Sequence, residues 1–205
     1  MAVLHPAATA HLALFRHGRL RPGETVYIGG AAGNVGSAAT GLARLGGARV
    51  LAGARAEDAG WCRAAGADEV LDYRDPDLPD RLRGLAPAGI DLYIDTSGHL
   101  DLPTAVDLLA LRGRIVLLAG PAQRLTLPAG SLYTHDRSIL GFAISRAAVG
   151  DLAEAASTLN SQLATGTLPV RVRDLWPLDR AAEAHQAVER GVRGRIVLRV
   201  GPADA

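Results

Sequence analysis

From Thr25 onward the chain alternates short, almost wholly apolar runs with stretches of helical periodicity. The runs are Thr25-Val-Tyr-Ile-Gly29, Arg49-Val-Leu-Ala52, Glu69-Val-Leu71, Asp91-Leu-Tyr-Ile94, Arg114-Ile-Val-Leu-Leu118 and Ser138-Ile-Leu-Gly-Phe142. A strand with one face in water alternates apolar and polar residues. These runs do not, so both faces must be covered, as in a parallel sheet flanked by helices. Between the first two, Val35, Ala38, Ala39, Leu42 and Leu45 recur at helical spacing from Asn34 to Leu45, and Gly46-Gly47 ends the pattern. Glu57 to Ala65 and Leu102 to Leu111 predict further helices, and Pro76 to Pro87 reads as a polar, proline-punctuated connection. The fold class is therefore α/β, a doubly wound parallel sheet of six strands in the order 3-2-1-4-5-6. Beyond Val149 the spacing predicts a helix over 151–164, a strand over 168–172, a helix from an Asp179 N-cap to Arg190, and a last strand over 195–200.

Between the first strand and the first helix lies Gly30-Ala-Ala-Gly33-Asn-Val-Gly36. Glycine triplets are common in loops, but strand, tight turn, helix and second strand in this order form the context that binds a dinucleotide. Gly33 lets backbone approach a pyrophosphate, and Gly36 lets the helix pack close to the strand. The N–H groups of Asn34, Val35 and Gly36 then point at phosphate, aided by the positive end of the helix. The second strand ends in Gly53-Ala54-Arg55 rather than in the Asp or Glu that accepts bonds from the adenosine ribose of NAD. A guanidinium at Arg55 suits a 2′-phosphate, so the expected cofactor is NADPH. Glu57 and Asp58 read as charges in the first turn of the next helix.

Composition narrows the function classes. A net charge of +1 with interleaved signs gives no field to attract nucleic acid or an anionic membrane. All 22 basic residues are arginine. The single Cys62 excludes an intrachain disulfide and a cysteine-rich zinc site, and its helical spacing suits a buried structural thiol. No apolar run is long enough to span a bilayer, and no signal peptide opens the chain, so a cytoplasmic protein is expected. The six histidines are scattered without ligand spacing, so no metal is expected.

Several further segments carry a family resemblance. Arg21-Pro-Gly-Glu-Thr-Val, Gly30-Ala-Ala-Gly-Asn-Val-Gly-Ser37, Cys62-Arg-Ala-Ala-Gly-Ala-Asp68, Val70-Leu-Asp-Tyr-Arg74, Asp91-Leu-Tyr-Ile-Asp-Thr-Ser-Gly98, Gly113-Arg-Ile-Val116, Pro177-Leu-Asp-Arg-Ala-Ala-Glu-Ala-His185 and Gly194-Arg-Ile-Val-Leu198 together resemble the medium-chain dehydrogenase/reductase superfamily. Within it the likeness is to the zinc-independent quinone oxidoreductases of the zeta-crystallin type. The resemblance implies a six-stranded Rossmann domain over 1–167, with 1–20 a leading helix that adjoins a GroES-like catalytic domain in full members. Residues 168–205 would be a strand-helix-strand segment that returns to that domain. Because Met1-Ala2 stands where the catalytic domain would join, the chain is expected to be an excised cofactor domain or a naturally shortened relative.

By the same resemblance Tyr73 contacts the adenosine ribose or its 2′-phosphate, although a tyrosine flanking a strand needs no such role. The family often has Ser at position 55 and Lys at 58, so the phosphate partner moves here to Arg55. Arg190 is a second candidate, readable also as a solvated helix-end arginine. Thr96, Ser97, Ala119, Gly120, Phe142 and Ile144 would line the ribose and nicotinamide pocket with Ala32 and the turn. Asp95 and His99 can be read as an acid–base pair, or Asp95 as structural, and no catalytic residue is assigned. Two functions remain open. One is an NADPH-dependent oxidoreductase passing hydride to a quinone or an activated alkene or carbonyl, the other a non-catalytic NADPH-binding module. The unprotected apolar edge at 138–144, and the habit of relatives, imply a homodimer.

Overall fold

The computed structural model describes residues 3–168 and 170–201. A leading helix α1 (Leu4–His11) runs on into a π-helical segment (Leu12–His17). Then follow β1 (Thr25–Gly29), α2 (Asn34–Leu45), β2 (Arg49–Ala54), α3 (Ala59–Ala64), β3 (Glu69–Asp72), α4 (Leu78–Leu85), β4 (Ile90–Asp95) and α5 (Leu102–Asp107). The remainder is β5 (Leu109–Leu117), α6 (Ala129–Tyr133), β6 (Ser138–Gly141), α7 (Val149–Ala164), β7 (Val172–Pro177), α8 (Ala181–Glu189) and β8 (Arg195–Arg199). The first six strands form one sheet in the order β3-β2-β1-β4-β5-β6, every neighbouring pair parallel.

The apolar runs divide between two helical layers by simple alternation. Val26 and Ile28 of β1, Val50 and Ala52 of β2, Leu92 and Ile94 of β4 and Val116 of β5 face α1, α2 and α7 in one cluster with Leu14, Leu42 and Leu159. The intervening Tyr27, Leu51 and Leu71 face Leu82 of α4, and Ile115 faces Ala105 and Val106 of α5. Each fully buried Leu or Ile contributes roughly 1.5–3 kcal/mol of transfer free energy, so two covered faces explain why the strands carry no polar alternation. At the amino-terminal edge, Arg114 holds the frame: its guanidinium donates to both Glu24 carboxylate oxygens (2.9 and 2.6 Å) and to the carbonyls of Gly18 (2.5 Å) and Asp91 (2.9 Å).

Several local expectations are corrected. The segment 76–87 is no plain connection: Asp77 precedes α4, Pro79 sits in its first turn, where a missing N–H costs nothing, and Leu82 is buried. The helix expected to reach Leu111 stops at Asp107, because β5 begins at Leu109 with an irregular register opposite Ile90 and Leu92. The strand expected over 168–172 lies at Val172–Pro177, pairing in parallel with β8, while Leu168 is buried in the main core and Pro169 lies outside the described residues. Asp179 lies inside a short 3-10 turn before α8 rather than capping it.

Candidate nucleotide site

At the carboxyl edge of the sheet β1 runs into the glycine turn. Gly30 has φ +76°, and a Cβ there would stand 2.7 Å from Thr96 Oγ1, so only glycine fits without displacement. Gly33 caps α2 in extended conformation, and Ser37 N–H makes the first bond back to its carbonyl, 2.9 Å away. The N–H groups of Asn34, Val35 and Gly36 therefore precede the first intrahelical donor, Ser37, and remain available at the positive end of α2. Gly36 packs under the turn, where a Cβ would lie 2.2 Å from the Gly30 carbonyl oxygen.

The turn is braced by the end of β4. Thr96 Oγ1 donates to the Gly29 carbonyl (2.7 Å). Asp95, 3% exposed, accepts from Ser97 N (3.1 Å), Ser97 Oγ (2.6 Å) and Gly98 N (3.1 Å). Asp95 thus shapes the loop and makes no hydrogen bond to His99, whose ring contacts the Ser97 carbonyl (3.0 Å). Across the site Arg55 follows β2, and its Nε donates to the Tyr73 hydroxyl at 2.8 Å. That bond, ahead of the charges around it, raises the Arg55 pKa. Beside it the Arg74 guanidinium binds Asp72 and holds that carboxyl well below its ordinary range.

A cavity of about 810 Å³ opens between these elements and the C-terminal segment. It brings together Gly30, Ala32, Gly33, Asn34, Val35, Arg55, Tyr73 and Thr96, all expected from the sequence. Ser97 lines an adjoining cavity of about 760 Å³ that shares Gly30, Arg55 and Tyr73. Tyr27 and Tyr93 belong to that second cavity, their rings 4.6 Å apart, and burial pushes both phenols above their ordinary range. Ala119, Gly120, Phe142 and Ile144 are not brought into either cavity. They follow β5 and β6, where Phe142 stacks on His17 (centroids 4.3 Å apart, planes at 15°) and Gly98 packs beside Gly120.

Sequence reasoning missed the fourth wall. Arg171, Arg193 and Arg195 come from the C-terminal segment to line the first cavity. Asp58 is no solvated helix-turn charge: at 6% exposure it pairs with Arg171 (3.0 Å) and Arg193 (3.6 Å). Glu57 pairs with Arg193 (2.7 Å) and Arg74 (3.4 Å). Arg171 and Arg193 stand more than a hundred positions from these carboxylates, so no local pattern could have joined them. With Arg55, the cavity wall carries four guanidiniums against the single carboxylate of Asp58, a balance suited to an anionic ligand. Arg190 is not among the lining residues. Cys62 is buried, and desolvation pushes its thiol up to about 11, which leaves it a packing residue. No helix among the described residues is long and apolar enough to cross a membrane.

A parallel sheet in this order, with a glycine turn leading into α2 at its carboxyl edge, defines the class of Rossmann-type cofactor-binding domains. The chain belongs to the zinc-binding dehydrogenase family, whose family model matches residues 34–161, and it resembles the quinone oxidoreductases. It is 31% identical over 197 residues to quinone oxidoreductase from Sus scrofa, covering 94% of this chain and 60% of the relative. An NAD-dependent alcohol dehydrogenase structure superposes with a TM-score of 0.84 at 33% identity, over 98% of this chain and 58% of the other. A mycobacterial quinone oxidoreductase superposes with a TM-score of 0.88 at 26% identity, over 97% and 63%. The chain thus spans about 60% of the length of the curated quinone oxidoreductases it matches. Despite the family's description, the described residues contain no group of three or more His, Cys, Asp and Glu that could hold a metal ion, so they offer zinc no ligand set. They do fit a dinucleotide, through the free N–H groups of α2 and the cationic cavity wall.

Proposed function

We propose that this chain is the NADPH-binding part of an oxidoreductase that passes hydride to a quinone or to an activated alkene or carbonyl. The observation that carries the reading is the cavity itself, which places the α2 N-terminus, Arg55 and Tyr73 around one space of nucleotide size. The glycine turn would hold the pyrophosphate on the N–H groups of Asn34, Val35 and Gly36. Arg55, oriented by its bond to Tyr73, would take the 2′-phosphate with its two terminal nitrogens. Thr96 and Ser97 would border the ribose. The nicotinamide supplies the hydride chemistry when bound, and the protein's part is to hold and orient it. The acceptor class follows from likeness to the quinone oxidoreductases.

The NAD-dependent alcohol dehydrogenase among the structural relatives makes cofactor choice the sharpest test. Titration of the purified chain by nucleotide fluorescence should give tighter binding of NADPH than of NADH. Arg55→Ala should weaken NADPH several-fold and leave NADH unchanged. Equal affinities for the two nucleotides, indifferent to the substitution, would overturn the NADPH assignment.

A further inference from the structure

The segment from Arg171 to the end of β8 supplies one wall of the first cavity, through Arg171, Val188, Arg193 and Ile196 among others. Its own packing is chiefly internal: β7 pairs with β8, and α8 lies against β7. No backbone hydrogen bond among the described residues joins it to the six-stranded domain. Side chains make the junction instead. Leu168, just ahead of the segment, is buried in the main core. Beyond it, Arg171 donates to Asp58 (3.0 Å) and lies over the Trp61 ring, 5.5 Å from its centroid. Arg193 reaches Glu57 (2.7 Å) and Asp58 (3.6 Å). The two carboxylates are not equal. Glu57 and Arg193 are each 41% exposed, and an ion pair in that setting adds little. The Asp58 side chain is only 7% exposed. It stands at the amino end of α3, where an aspartate ordinarily accepts from the first helical N–H groups, yet it makes no such bond. Its carboxylate is turned to the segment.

We infer that Asp58 is a positioning residue of the nucleotide site: it clasps the C-terminal segment in place as a wall of the cavity, and the residence time of a bound nucleotide depends on that clasp. This rests on the nucleotide reading of the cavity. Asp58 acts through Arg171 and Arg193, which it holds against the domain immediately after Arg55. Releasing the segment would leave a buried carboxylate without either guanidinium, which strongly favours the closed arrangement. A two-stranded sheet with one short helix is not stable by itself, so a released segment also loses its own order. The wall opposite the glycine turn is therefore present only while the clasp is made.

The test compares the parent chain with Asp58→Asn, Asp58→Glu and Glu57→Gln, by amide hydrogen exchange without ligand and by the rate at which NADPH leaves. In Asp58→Asn the amides of β7, α8 and β8 should exchange at least about tenfold faster, the scale of one lost charge-assisted hydrogen bond, with those of β1 to β6 unchanged. NADPH should dissociate faster by a similar factor, and Asp58→Glu should recover part of both losses. Glu57→Gln should change either rate by no more than about fivefold. With Arg171→Met added to Asp58→Asn, the segment should exchange no faster than in Asp58→Asn alone, because both substitutions break one contact. Unchanged segment exchange in Asp58→Asn overturns the inference and leaves the cofactor reading standing. Faster exchange that extends to β1 to β6 overturns it too, by making Asp58 a general structural residue. So does an effect of Glu57→Gln as large as that of Asp58→Asn. Faster segment exchange with unchanged NADPH release separates the segment from the site and likewise overturns it. A parent that binds no NADPH overturns both readings.

Discussion

Replacing Gly36 by alanine sets two opposed effects against each other at the nucleotide site. Within a helix, alanine in place of glycine stabilises by roughly 0.8–1.0 kcal/mol, through backbone entropy alone. At Gly36 the new Cβ would lie 2.2 Å from the Gly30 carbonyl oxygen and 2.8 Å from Ala31 Cα. These neighbours are backbone atoms of the turn and cannot rotate aside. Relieving the contact requires the turn and α2 to separate by about 1 Å, and overpacking of this kind costs roughly 1–3 kcal/mol. Because the clash is with backbone, the cost lies toward the upper end, and the net loss is about 1–2 kcal/mol. For a chain of this size that lowers the melting temperature by roughly 2–8 °C. The same shift pulls the N–H groups of Asn34 and Val35 off the phosphates, so nucleotide affinity should fall at least about tenfold, the scale of one charge-assisted hydrogen bond. Gly84 in α4 is the matched control, because nothing stands within 4 Å of a Cβ built there. Gly84→Ala should raise the melting temperature by roughly 2–4 °C and leave binding untouched. Calorimetric melting and NADPH titration of both variants read the two effects separately. If Gly36→Ala melts at or above the parent and binds NADPH unchanged, the close approach of turn and helix is not what the site depends on.

Two further outcomes follow from the frame. Arg114→Met removes the cation of a pair whose side chains are 9% and 22% exposed and strands the Glu24 carboxylate and two carbonyls. Discounted for the water that still reaches Glu24, the loss should be about 2–4 kcal/mol, or roughly 5–15 °C in melting temperature, and an unchanged melt would mean that Arg114 does not hold the frame. β6 ends the sheet order, and homodimerisation across this edge is proposed. Leu140 and Phe142 pack against the core and are poor probes, but a Cβ at Gly141 meets nothing within 4 Å, so Gly141→Arg should tolerate folding and place like charges across the two-fold axis. Light scattering at micromolar concentration should give a dimer for the parent and a monomer for the variant, and a monomeric parent would refute the proposal.

The sequence by itself determined the sheet and the turn. Six runs without polar alternation admit only strands covered on both faces, and glycines at 30, 33 and 36 between a strand and a helix place a nucleotide-sized turn at the carboxyl edge. These are signals of local periodicity and of backbone sterics, which a linear reading can detect. It missed α4, an eight-residue helix interrupted by Pro79 and Gly84, whose Leu82 packs with residues of β2 and β3. It also ran the helix before β5 too far, because Leu108 to Leu111 continue an apolar pattern that sheet pairing, and not propensity, cuts short. What only the tertiary structure decided is the wall opposite the turn. Asp58 reads as an ordinary helix-turn carboxylate until Arg171 and Arg193 arrive from the other end of the chain and bury it. Arg195 is one of 22 indistinguishable arginines until the parallel pairing of β7 and β8 sets it in the cavity wall, with Nη1 buried and without a hydrogen-bond partner. Charge in a folded protein acquires its meaning from desolvation and from partners remote in sequence, and neither is written in the local order of residues.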